Sequence, residues 1–354
     1  MLGYCAGDRA SLAEVMGERG LGDFTDLSAF HGGGWGMAWY DRQRGHVEKS
    51  PRRAADDPAY GELAHRRLGD LGLVHLRRAT PGLPVEACNS HPFRHDAIMM
   101  AHNGAIHPQD RLGDLLTPAW NRRLTGTTDS ERYFLHVMSR LETHAGDMIA
   151  ALDDTIAHID RNFSANSLNA IVLTPDALYA ICWYDPERIP PAALGQQGYS
   201  GPPERYFDLA YSETDGAVVV ASSGWPHDRW TWLPNRHVLV IDRETLRTKV
   251  EPLSPGDAPG GPLPNTDPVH PSSATLALYR SDTTGARYYV DVLGAGHFSP
   301  CEGDGPQEHL VARVTLAFLD RYVAGQGQAR AAMLRTGNVS GVALLLNGGT
   351  APAG

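Results

Sequence analysis

Short apolar runs rich in β-branched residues punctuate the first two thirds of the chain. They occupy Gly36 to Asp41, Leu71 to Leu76, Ala97 to Ala101, Leu168 to Thr174, Leu178 to Trp183, Ala217 to Ala221 and His237 to Ile241. Turn-forming residues bound them, so each reads as a strand. Helical spacing shows in two places. Thr128, with Glu131 three residues on, forms a capping-box signature ahead of Tyr133, Phe134, Val137, Met138 and Leu141. A second helix runs from about Asp147 to Ile159, with Ile149, Leu152, Ile156 and Ile159 on one face. The strands outnumber the helices and follow one another directly. That pattern predicts an α+β architecture of layered antiparallel sheets, not a doubly wound one.

Periodicity stops at residues 254–271, SPGDAPGGPLPNTDPVHP, which read as a linker between a body (1–253) and a tail (272–354). Of the 354 residues, 42% are hydrophobic and 20% charged, a globular balance. The 31 basic against 41 acidic residues give a net charge of −10, which argues against nucleic acid or an anionic membrane as partner. No apolar run approaches a bilayer span and no secretory signal opens the chain, so a cytoplasmic protein is expected. Cys5, Cys88, Cys182 and Cys301 lie far apart, without the spacing of a disulfide framework or a zinc site. His91 and His95, like His102 and His107, would chelate a metal only if helical. Pro92 and the Asn103-Gly104 turn argue against helix at both places, so no metal is expected.

Three segments set polar groups at the ends of apolar elements. They are His75 to Gly82, the strand ending in His102-Asn103-Gly104, and Thr127 to Glu131 at a helix start. Singly, each has a plain explanation: a surface cation, a hairpin turn, a carboxylate favoured by the helix dipole. Together they offer an arginine fork for a carboxylate, an aspartate for an ammonium group, and two amide donors for an oxyanion. Those are the needs of a site acting on the side-chain amide of a free amino acid.

In order along residues 1–253, these segments resemble the class II glutamine amidotransferases, whose glutaminase domain is an N-terminal-nucleophile hydrolase. His31-Gly32-Gly33-Gly34-Trp35-Gly36-Met37-Ala38-Trp39-Tyr40 is similar to the family's HGDGWGLAWY-type segment, and His75 to Gly82 to its HxRxAT-G segment. The resemblance implies a four-layer αββα sandwich with a C-terminal appended segment. It also implies that Arg77 binds the α-carboxylate of glutamine, that Thr80 lines the pocket, that Asn103 and Gly104 form the oxyanion hole, and that Asp129 holds the α-amino group. Two departures stand out. Gly33 replaces a usual Asp or Asn. The family's nucleophile is a cysteine made residue one by methionine removal, its free amine serving as base, whereas this chain reads Met1-Leu2-Gly3-Tyr4-Cys5. Met1 aligns with the fourth residue of the family's opening MCRLLGY, so the catalytic cysteine is expected two residues upstream. Cys5, past the Gly-Tyr pair, is a weak fallback whose plainer reading is a buried strand residue.

The resemblance implies cleavage of glutamine, or of a γ-glutamyl conjugate, through a cysteine thioester. No P-loop or dinucleotide turn is present, so no cofactor is expected and any ammonia acceptor would be a separate synthase. The alternative is a catalytically inactive protein of the same fold that binds an amino acid or a partner. In the tail, Tyr288 to Leu293, the Gly-flanked His297 and an amphipathic stretch from about His309 to Val323 resemble the end of an α/β-hydrolase. With no nucleophile elbow to serve His297, the tail reads as a hydrolase remnant, and residues 337–354 as frayed.

Overall fold

The computed structural model describes residues 1–79, 84–189, 202–214, 216–222 and 230–253, and beyond them 287–292, 313–316 and 343–348. In chain order the elements open with β1 (Leu2–Ala10), α1 (Leu12–Asp26), β2 (Trp35–Asp41), β3 (Arg44–Ser50), α2 (Pro58–His65) and β4 (Gly69–Leu76). β5 (Phe93–His95), β6 (Ile98–Asn103), β7 (Ile106–His107), α3 (Pro118–Asn121), α4 (Asp129–Thr143) and α5 (Met148–Asn162) follow. Then come β8 (Ser164–Ala165), β9 (Asn169–Leu173), β10 (Ala177–Cys182), β11 (Leu209–Glu213), β12 (Ala217–Ser222), β13 (Thr231–Leu233), β14 (His237–Asp242) and β15 (Thr248–Pro252).

Two antiparallel sheets stack face to face. One has the order β13-β11-β12-β1-β4-β2-β3, the other β15-β14-β10-β9-β6-β5. Between them lie Cys5, Leu71, Leu73 and Val220 from the first sheet, against Met99, Ile171, Leu178 and Leu239 from the second. The outer face of the first sheet buries Leu2, Tyr4, Trp35 and Val74 against Leu12, Leu21 and Phe24 of α1 and Tyr60 of α2. The outer face of the second buries Met100, Val172 and Ile181 against Tyr133 and Phe134 of α4 and Leu152 and Ile156 of α5. The result is the expected αββα sandwich.

Because both faces of the inner strands are covered, their sequences are continuous apolar runs and not alternating ones; all five residues of β9 are buried. Edge strands carry no such signal. β3, with sequence RGHVEKS, pairs only with β2 in its sheet and keeps mostly half-exposed polar side chains, as edges do. α4 departs from the expected capping box in one respect. Thr128 accepts from the Glu131 amide, but the Glu131 carboxylate turns to Thr125 N, Thr125 Oγ1 and Gly126 N instead.

By its contacts the chain divides into Met1–Gly256 and Asp257–Gly354. In the second unit β16 (Arg287–Val292) pairs antiparallel with β17 (Ala343–Gly348). The second of these strands lies in the stretch expected to be frayed; its ALLL run finds a partner far away in sequence, which local composition does not reveal. His297 lies outside the described residues.

Candidate active site

The site forms at the end of the sandwich where β1 begins. Leu2 pairs with Val74 of β4 and with Ala221 of β12, which brings Met1 opposite His75. Ser222 N donates to the Met1 carbonyl at 2.9 Å, and the Met1 nitrogen lies 3.1 Å from Ser222 Oγ. On β4, Leu71 and Leu73 face the inter-sheet core while Val74 and Leu76 face the helices. Alternation then turns His75, and Arg77 just beyond the strand, to the inter-sheet side. On β6, Met99 and Ala101 face inward, and Asn103 shares their side. His75 Nε2 and Asn103 Oδ1 meet across the sandwich at 3.0 Å.

Arg77 is 4% exposed, and its Nη1 donates to the carbonyls of Pro84 at 3.2 Å and Gly33 at 3.4 Å. Its backbone is paired with the loop before β2: Arg77 N donates to Gly34 O and Gly33 N to Arg77 O. This accounts for the glycine at position 33. A Cβ there would stand 2.7 Å from Ala79 N, so the close approach of the two segments excludes the Asp or Asn expected from the resemblance.

Asn103 and Gly104 sit on a loop held from two sides. A Cβ on Gly104 would fall 2.0 Å from the Ser167 carbonyl, and Ala105 N donates to Asn166 Oδ1 at 2.8 Å. Asp129, the first residue of α4 and 7% exposed, accepts the Ile106 amide on Oδ2 at 2.8 Å. The helix start thus carries its carboxylate to the loop next to Gly104. Thr80 lies outside the described residues.

Cys5 is fully buried on the inter-sheet face, farther along β1, with Sγ 3.8 Å from the Arg243 carbonyl. Burial, aided by the Asp70 carboxylate, pushes its thiol up to about 12. A thiol so placed yields little thiolate near neutral pH. It is a core residue.

Histidines that sequence reasoning left without a role surround the pocket. His91 Nδ1 lies 3.0 Å from His75 Nε2. His102, on the opposite face of β6 from Asn103, accepts from Ser130 Oγ at Nδ1 (2.9 Å) and donates from Nε2 to Ser167 O (3.1 Å). It ties the first turn of α4 to the sheet. Burial, first of all, lowers His75 and His91 well below the ordinary histidine value, and His31 to about 4. All three rings are neutral at pH 7. The signal in the sequence was strand parity: His75 is two residues from Arg77, and Asn103 two from Ala101. Among the described residues, no group of three His, Cys, Asp or Glu is placed to hold a metal ion.

Comparison with known proteins gives the family. Residues 10–189, half of the chain, match the family described as class-II glutamine amidotransferases. Glutamine–fructose-6-phosphate aminotransferase (isomerizing) of Pseudomonas aeruginosa is 32% identical over 114 residues, 32% of this chain but 18% of that protein. The chain thus spans under a fifth of that relative. γ-Glutamyl-hercynylcysteine sulfoxide hydrolase of Mycobacterium tuberculosis is 24% identical over 212 residues, 60% of this chain and 76% of its own. Among solved structures, a glutamine aminotransferase class-II domain protein from Silicibacter pomeroyi has a TM-score of 0.49 at 21% identity, covering 72% of this chain and 99% of that one.

Proposed function

Because the chain belongs to the class II glutamine amidotransferases, we propose that it cleaves the γ-amide bond of glutamine or of a γ-glutamyl conjugate through a cysteine thioester. What supports this reading is that His75, two residues before Arg77, meets Asn103 of the other sheet at 3.0 Å, while Asp129 of α4 accepts the Ile106 amide two residues past Gly104. Arg77 takes the α-carboxylate with the donors not engaged by Gly33 and Pro84, and Asp129 takes the α-ammonium. The pocket threonine that the family resemblance implies is Thr80.

The nucleophile in this reading is a cysteine two positions before Met1. Continued on the register Leu2↔Val74 and Gly3↔Leu73, that position falls opposite Arg77, and alternation puts it on the face of Met1 and Arg77. Cys5, four residues past Met1, is about 13 Å farther down the strand at about 3.3 Å per residue. The cysteine thiol gives its proton to its own α-amine, and sulfur attacks the γ-carbonyl carbon. Asn103 Nδ2 and Gly104 N receive the oxyanion. Collapse of the tetrahedral adduct expels the amine, which takes the proton, and water then releases glutamate from the thioester.

The alignment with the γ-glutamyl conjugate hydrolase runs over three quarters of that protein, which supports a γ-glutamyl conjugate as substrate with water as acceptor. Transfer of ammonia to a separate synthase is the less supported route. Two measurements on protein from its native source decide the matter. The N-terminal mass should begin at a cysteine two residues before Met1, and kcat/KM for a γ-glutamyl amine should exceed that for glutamine. A mass beginning at Met1 with neither substrate turned over would favour an inactive amino-acid-binding protein.

A further inference from the structure

The pair that crosses the sandwich has a consequence for the orientation of Asn103. His75 Nε2 stands 3.0 Å from Asn103 Oδ1 and 3.0 Å from His91 Nδ1, while His75 Nδ1 is buried with no hydrogen-bond partner among the described residues. A neutral imidazole carries its single proton on one nitrogen or the other. If the proton sat on Nδ1, a donor would be buried unpaired, and Nε2 would face Asn103 Oδ1 lone pair to lone pair. That arrangement would force the Asn103 amide to turn over, leaving its oxygen toward the pocket. With the proton on Nε2, the orphan is an acceptor, which is the cheaper group to leave unpaired. Nε2–H then donates to Asn103 Oδ1, and Asn103 Nδ2 is left facing away from His75.

We propose that His75, as its Nε2–H tautomer, is the positioning residue that fixes the Asn103 amide with Nδ2 toward the acyl-transfer site; its one proton goes to Asn103 Oδ1, and His91 Nδ1, 3.0 Å away, is left without a proton. His75 touches no reacting atom; it acts through Asn103. The inference rests on the reading of Asn103 as an oxyanion donor. It adds that the sense of that amide is set from the opposite sheet, across the sandwich, and not by the loop that carries it.

The test pairs kinetics with a measurement that does not need turnover. In the full-length protein with its native start, His75→Leu should lower kcat for glutamine on the order of 10- to 100-fold, part of the loss expected on removing an oxyanion donor outright. KM should change less than about threefold, since Arg77 and Asp129 are untouched. His75→Gln, which restores an N–H at the Nε2 position, should recover most of the rate. His75→Leu combined with Asn103→Ala should be no slower than Asn103→Ala alone. Additive losses, or a His75→Gln variant as slow as His75→Leu, would overturn the proposal. Independently, the ring-nitrogen resonances of His75, assigned by their loss in His75→Gln, should show protonated Nε2 and bare Nδ1. Protonated Nδ1 would overturn it whatever the kinetics show. A wild-type protein that turns over neither glutamine nor a γ-glutamyl amine would instead remove the reading of the site, because it would leave Asn103 no oxyanion to meet.

Discussion

Arg77 and Asp129 can be tested separately because each is anchored by contacts that a substitution can preserve. The Arg77 guanidinium is fixed by two backbone carbonyls, so the fork is already oriented before any ligand arrives. A lysine in its place would supply charge without the planar, bidentate geometry. Arg77→Lys should therefore raise the KM for glutamine about tenfold or more while kcat changes less than about threefold, as loss of uniform binding does. Asp129 both receives Ile106 N and, in the proposed function, holds the substrate ammonium. Asparagine keeps an acceptor for Ile106 and removes the charge, so Asp129→Asn should stay folded. It should lower kcat/KM for α-amino substrates by roughly 10- to 100-fold, the scale of a lost charged hydrogen bond. γ-Acyl amides lacking the α-amine should be spared. Wild-type kinetics in both variants would mean the substrate is not an α-amino acid.

At the scale of elements, one arginine staples the two sheets at the end remote from Met1. Arg243, just past β14, binds Asp70 of β4 through Nε at 2.8 Å and Nη2 at 2.7 Å, and also donates to the carbonyls of Pro175 and Arg42. Its guanidinium lies 5.1 Å from the Tyr40 ring centre, and its side chain is 10% exposed against 26% for Asp70. Removing the cation would leave Asp70 and two carbonyls short of a partner. Arg243→Ala should cost about 2–3 kcal/mol, toward the low end for a broken buried pair because Asp70 keeps some water. Urea unfolding should show it as a lower midpoint at unchanged slope; a loss below about 0.5 kcal/mol would sink the idea. Such long-range pairings explain what the sequence conceals. Strands covered on both faces, such as β9 and β10, are legible because they are apolar throughout. β3 and β15 are polar edges whose strand character comes from β2 and β14 beside them. The candidate residues were legible from their order along the chain. The His75–Asn103 contact and the space limit at Gly33 were not, because each depends on two segments meeting in the fold.

The whole molecule holds an unusual set of neutral histidines spread through its layers, and this makes its stability a function of pH. His31, His75 and His91 lie around the pocket. His102 lies behind the second sheet, and His136 on α4 faces α5 with neither ring nitrogen paired among the described residues. Burial lowers every one of them, His31 to about 4 and His136 to about 3; on His136, Arg140 and His158 push the same way while Asp154 opposes. The folded value lies below the unfolded one, so as pH falls through about 6.5 the unfolded chain takes up protons that the native protein refuses. Stability is therefore full above pH 6.5 and declines below it, by about 2 kcal/mol per fully resistant ring at pH 5. Carboxylates held below their ordinary range, such as Asp57 with its bonds from Ser50 and Trp35, lose their contribution only below about pH 4. Asp160 and Asp208, whose burial holds their carboxyls above the ordinary range, change in the opposite sense, so the interval from 6.5 to 5 reads the histidines net of those two. Urea midpoints measured across it should fall steeply, and His136→Phe should flatten that slope by one proton. At pH 5 the same variant should be more stable than wild type, since an apolar ring of similar size replaces a buried polar one that lacks partners. A flat midpoint between pH 7 and 5 would show that these rings reach water in the native state, and with it that the site end of the sandwich opens far more readily than its packing implies.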